Sequence, residues 1–134
     1  MGTVVDSSAG IRVEREWRVA GDDVLAQLPA DSFVAAITVS EMLVGVLQSR
    51  TAEQRRTAEA FLDVLLAHVP VLAFGEKEAR EHARLHVLLR RAGTMIGAAD
   101  LEIAATALAN GHNVMTGNVS EFSRVPGLIV RSAP

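Results

Sequence analysis

The chain has no cysteine, which removes disulfides and thiolate metal ligands together. No apolar run is long enough to cross a bilayer. The first residues lack the basic stretch and apolar core of a secretory signal. Met1-Gly2 opens like an acylation signal, but that pattern wants Ser or Thr at position 6, where Asp6 stands. The cytoplasm is the expected compartment. Linkers, internal repeats and low-complexity tracts are missing, so 1–134 is expected to be a single domain.

What remains is a globular composition, 49 % apolar and 22 % charged. A net charge of −3 gives no overall pull toward nucleic acid. Of 13 basic residues only Lys77 is a lysine, and the arginines fall in groups. Arg50, Arg55 and Arg56 form one group; Arg80, Arg84, Arg90 and Arg91 follow Lys77 in another. Guanidinium groups fork onto phosphate oxygens, so each group could hold phosphates. Glu76, Glu78 and Glu81 share the second stretch, and solvated helix faces give the same pattern.

Strand-like and helix-like segments alternate along the chain. "TVVD" (3–6) reads as a buried strand, and "SSAGIRVEREW" as a helix capped by Ser7 or Ser8. "GDDVLAQLP" is a short helix ended by Pro29, and "FVAAI" (33–37) a second strand. Two helices follow, "TVSEMLVGVLQSR" and "TAEQRRTAEAFLDVLLAHV", the second with Leu62, Leu65 and Leu66 at helical spacing. "VLAF" (71–74) is a third strand. A charged helix over 76–92 stops near Gly93, and the next runs from Asp100 to a closing Gly111. "NVMT" (113–116) makes a fourth strand, and "LIV" (128–130) a fifth after Pro126-Gly127. Such alternation predicts a three-layer α/β/α domain around a mostly parallel sheet of four to five strands.

Within that frame the acids gather. Asp6 ends the first strand, Glu41 lies in the first turn after the second, Asp100 opens a helix, and Asn118 and Glu121 follow the fourth strand. Strand exits of a parallel sheet share one edge, where ligands bind. Converging carboxylates repel unless protons or cations intervene. Oxygen donors without cysteine favour a hard divalent ion, Mg²⁺ or Mn²⁺, of the kind that bridges carboxylates to phosphate oxygens. Phosphodiester hydrolysis is the chemistry suggested. Each acid also has a simpler role. "TVSE" has the form of a capping box from Thr38 to Glu41, as "TAEQ" has with glutamine. Asp100 gains from the helix dipole, and Asp6 can cap.

The segments "VVDSSAG", "TVSEMLVG", "IGAADLEIAATALANG" and "VMTGNVSEFSRVPGLIV" resemble, in order, the motifs of PIN-domain ribonucleases. The resemblance is to VapC-type toxins, FitB-like members included, and spans nearly the whole chain. It implies that Asp6, Glu41 and Asp100 surround Mg²⁺ or Mn²⁺, with Asn118 beside them, so that an activated water attacks RNA. Ser8 and Thr116 match positions that orient the acids or their waters, and Gly45 matches a small residue one turn beyond Glu41. Where many members have a fourth aspartate this chain has Asn118, which offers a carbonyl oxygen without charge; the subtype with asparagine there carries an acid three residues on, here Glu121. The resemblance further implies a homodimer and an antitoxin (VapB-like) whose C-terminal segment covers the site. Arg55, Arg56, Arg84 and Arg91 would then guide RNA.

Two other function classes bear on the same residues. Phosphoryl transfer to aspartate fits poorly, because a dehalogenase-like phosphatase wants an aspartate where Ser8 stands and a receiver wants a lysine after a late strand. A PIN-like module that binds RNA or protein but has lost catalysis is the alternative that Asn118 leaves open. His82 and His86 stand four apart, in "HARLH", but lack the glutamate of the zinc-protease pattern and are expected to be surface or interface residues. His68 and His112 are expected to sit near helix ends, Trp17 to anchor the first helix, and Phe122 to pack beneath its loop.

Overall fold

The computed structural model describes residues 1–133. Strands β1 (Thr3–Val5), β2 (Ser32–Ala35), β3 (Val71–Leu72), β4 (Asn113–Thr116) and β5 (Val130–Ser132) form one sheet in the order β3-β2-β1-β4-β5. All four pairings are parallel. Helices α1 (Ser7–Ala20), α2 (Ala36–Leu47), α3 (Ala52–His68), α4 (Glu76–Ala92), α5 (Ala98–Ala109) and the single turn α6 (Val119–Phe122) connect them, with a 3₁₀ segment at Gly21–Gln27.

Alternation along each strand sorts the core into two halves. Val4 and Val114 face α4 and α5, burying against Leu85, Leu89, Leu101 and Ile103. Val5, Val34 and Met115 face α1 and α3, burying against Val13, Phe61 and Leu65. The sheet is therefore covered on both sides, and the three-layer α/β/α architecture is confirmed. Trp17 anchors α1 as expected, its ring 5.3 Å from Phe61 and its Nε1 donating to Asp22 at 2.7 Å.

Several boundaries shift for local reasons. β2 ends at Ala35 because α2 begins at once, so Ala36 and Ile37 are helical. Thr38 is then the third residue of α2, buried, with its hydroxyl unpartnered, and the capping box expected from Thr38 to Glu41 does not form. Thr51 does cap α3, accepting from the Gln54 N–H at 3.1 Å, while Gln54 itself accepts from Arg50. β3 has only two residues, since Gly75 caps α4 and turns the chain away. Turns closed by Val125 and Leu128 delay β5 to Val130. Neither Ser7 nor Ser8 caps α1; Asp6 does.

Sheet order fixes where a site can form. From β1 the chain moves outward through β2 to β3, then returns to place β4 on the other side of β1. Crossovers thus diverge between β1 and β4, opening a crevice beyond their C-terminal ends. Asp6 follows β1 and Thr116 ends β4, so both stand at this point.

Candidate active site

Asp6 is only 3 % exposed yet is ionisable, and the burial of a carboxylate demands compensation. It comes from three donors. The Ala9 N–H donates to Oδ1 at 2.9 Å, the Thr116 hydroxyl to Oδ2 at 2.6 Å, and the Ser8 hydroxyl lies 2.8 and 3.0 Å from the two oxygens. Ser8 has one proton to give, so three of the carboxylate's roughly four lone-pair directions are filled and one is left. The two hydroxyls pass the order onward. Ser8 accepts from the Gly117 N–H at 2.9 Å, and Thr116 accepts from the Asn118 N–H at 2.8 Å. One buried aspartate therefore sets the backbone of the loop after β4.

A second network starts from that loop. Glu121 accepts from the Gly97 N–H at 2.7 Å and from the Asn118 side-chain amide. It spans from α6 to the residue that caps α5, three positions before Asp100. Asp100 is half-buried in the first turn of α5. Burial raises its carboxyl from 3.8 to about 7; the charge and hydrogen bond of Glu121 push the same way, as do the charges of Asp6 and Glu41. Four acids from four segments thus act on one neighbourhood. Glu41 is exposed on α2 and is tied to α1 by the Ser7 hydroxyl, which donates to it at 2.5 Å.

The donor set suits a hard cation. It is made of carboxylate and amide oxygens, with a carboxyl held protonated to near neutrality by burial and then by its neighbours' charge, a penalty that a divalent ion offsets. Among the described residues no three acids or histidines are already drawn into ligating geometry, so the fit is one of donor type and charge.

The Arg55 and Arg56 group lies on α3 and the Arg84 and Arg91 group on α4, helices that cover opposite faces of the sheet. They do not form one track. Arg55 pairs with Glu59 at 3.2 Å and Arg84 with Glu81 on its own helix. Gly45 makes no close helix contact; a Cβ there would meet nothing within 4 Å. Instead it lines a cleft of about 520 Å³ between α1, α2 and α3, with Glu41 at its wall. His112 serves packing, accepting from the Gly2 N–H at 3.0 Å and stacking on Phe33. Phe122 is fully buried under its loop. His82 and His86 stack on each other beside Phe74, with no third ligand.

The sequence reading missed Arg12. It sits one turn after Ser8 on α1, and its guanidinium lies against Gly117: a Cβ on that glycine would be 3.2 Å from Cζ, Nε and Nη2. Helical spacing from Ser8 was the signal that could have found it.

Comparison with known proteins agrees with this geometry. The PIN domain model matches residues 3–128. The chain belongs to the PIN-domain family. Ribonuclease VapC1 of Rickettsia felis is 30 % identical over 136 residues, covering 97 % of this chain and 95 % of that protein. DNA-bound VapBC from Salmonella typhimurium contains a chain that superposes with a TM-score of 0.87 at 22 % identity, covering 100 % of this PIN domain and 99 % of its own length. VapBC-5 of Mycobacterium tuberculosis, from a toxin–antitoxin family, gives 0.75 at 27 % identity over 98 % and 96 %. This PIN domain is thus similar to VapC proteins over its whole length.

Proposed function

We propose that this PIN domain is the ribonuclease toxin of a toxin–antitoxin pair and hydrolyses RNA phosphodiester bonds with Mg²⁺ or Mn²⁺. The observation that carries the reading is the environment of Asp100. Burial, and after it Glu121, Asp6 and Glu41, raise the cost of its ionisation at the crevice where the topology favours a ligand. Its ribonuclease relative VapC1 supports the RNA substrate.

A divalent cation, when bound, supplies Lewis acidity that activates a water and neutralises charge on the phosphate. The chain's own residues do the rest. Asp6 presents its remaining lone pair from a fixed position, because three donors hold it. Asp100 joins it once deprotonated. Glu41, exposed and held by a single hydroxyl, is the acid with freedom to adjust. Ser8 and Thr116 orient Asp6, and Glu121 holds the start of α5 with Asn118 bracing it.

Partner binding belongs to the same reading. The cleft beside Glu41 is lined by Ile11, Met42, Val46 and Leu62, and Leu43, Val44 and Leu47 are exposed on α2. We assign these surfaces to an antitoxin segment and to homodimerisation, since the solved VapBC-5 structure comes from a toxin–antitoxin family. Light scattering with and without the antitoxin reports both.

The deciding experiment is cleavage of total bacterial RNA by antitoxin-free protein in Mg²⁺, Mn²⁺ or EDTA, with Asp6→Asn and Asp100→Asn as controls. Metal-dependent cleavage lost in both variants supports the nuclease. Folded wild type that binds RNA and leaves it intact would instead make the chain a PIN-like module without catalysis.

A further inference from the structure

Two guanidinium groups bracket the loop that carries Asn118 and Glu121. Arg12, on α1, covers Gly117 at the loop's start and donates from Nη1 to the Ala133 carbonyl at 3.3 Å. Arg124, just past α6 at the loop's end, donates from Nη1 to the Met95 carbonyl at 3.1 Å. Among the described residues neither has a carboxylate within salt-bridge distance, although Glu121 lies on the same loop and Asp6 caps α1. Both side chains are exposed. Each spends one donor on a backbone carbonyl, which fixes its direction, and has four more to offer.

Two guanidinium groups with no carboxylate partner among the described residues, directed to the rim of an acidic site, present forked donors suited to phosphate oxygens. We infer that Arg12 and Arg124 hold backbone phosphates of the RNA on either side of the bond to be cut, and that these two, not the arginines of α3 and α4, are the principal RNA contacts. Held by carbonyls at the two ends of the loop, they would align the strand along it. The acids repel RNA, and two fixed cations beside them offset that repulsion where the strand must approach. Gly117 is part of the device: a Cβ there would press on the Arg12 guanidinium at 3.2 Å and make it shift by a few tenths of an ångström.

This inference rests on the nuclease reading, and the test keeps the two apart. Binding of a short single-stranded RNA is measured in EDTA, where cleavage is off, across a salt series. The proteins are wild type, Arg12→Gln, Arg124→Gln, their double variant, Arg12→Lys and Arg55→Gln. Glutamine keeps a donor for the carbonyl tie and removes the charge. Each glutamine variant is expected to bind on the order of tenfold more weakly. The slope of log affinity against log salt should become shallower by about 0.7 for each lost phosphate contact. Arg12→Lys should keep the slope, since a point charge still displaces a counterion, while Arg55→Gln should change neither quantity. If wild type binds and cuts RNA but the double variant keeps its affinity and slope, the inference is overturned and the nuclease reading stands. A loss of thermal stability with an unchanged slope also overturns it, by reducing both arginines to structural ties. Wild type that neither binds nor cuts RNA overturns both readings together.

Discussion

The Thr116 hydroxyl donates to Asp6 at 2.6 Å across the ends of two neighbouring strands, linking residues 110 positions apart in the chain. Both partners are buried, and the same hydroxyl accepts from the Asn118 N–H. Thr116→Val keeps the shape and removes both bonds. It is expected to cost about 1–3 kcal/mol of stability, because it leaves a buried carboxylate short of a donor. Urea denaturation measures the cost. RNA cleavage should fall by more than the loss of folded protein accounts for, since the loop after β4 is no longer set by Asp6.

Asp100 gives the cation-free protein a pH dependence of definite sign. Its carboxyl sits near 7 in the fold and near 3.8 when unperturbed, so the folded state binds the extra proton between those values. Stability from this group is full at low pH and is lost as pH rises through about 7. Melting temperatures in EDTA should therefore carry a downward contribution across that window, absent in Asp100→Asn. A cation competes with the proton, so stabilisation by Mn²⁺ should grow from about pH 5 to about pH 8. Equal stabilisation at both ends would sink this account.

Glu121 acts on that same titration. Glu121→Gln removes a charge beside Asp100 but keeps an oxygen to accept from Gly97. The Asp100 carboxyl should then titrate below its wild-type midpoint, as read by carboxyl-carbon NMR in metal-free buffer. An unchanged midpoint would assign the shift to burial and to Asp6 and Glu41.

Glycines separate into two groups with opposite expected effects. At Gly10 and Gly45, both within helices, an added Cβ meets nothing, so alanine should stabilise by about 0.5–1 kcal/mol. At Gly2 it would come 2.6 Å from the Phe33 ring and 2.9 Å from the Asp31 carbonyl. Alanine there should destabilise by about 1–3 kcal/mol. Parallel chemical denaturation of the three variants checks the contrast. Gly45→Ala also narrows the cleft beside Glu41, so weaker antitoxin binding in a more stable protein is the expected pairing.

Much of this was legible before any coordinates. Alternating periods of two and 3.6 identified the layers, and strand ends located Asp6 and Thr116, because each is a local signal. The acids could be grouped because a parallel sheet sends all strand exits to one edge. What failed were features that depend on competition between neighbours. "TVSE" has the form of a cap, but α2 starts two residues earlier, directly off β2, and swallows Thr38. Either serine after Asp6 could cap α1, yet the aspartate gains more by accepting from Ala9 and from Thr116 together. Arginine groups adjacent in sequence gave no sign that the layers carry them to opposite faces of the sheet. Arg12 was overlooked since nothing local links it to Gly117, which is over a hundred residues away.

The β1–β4 pairing matches Thr3 with Asn113, so β1 gains its neighbour on that side only once residues 113–116 have been made. Until Thr116 and Gly117 have emerged, Asp6 lacks its cross-strand donor, and Glu121 is not yet there to brace α5. A nascent or truncated chain therefore has the first acids but no assembled crevice.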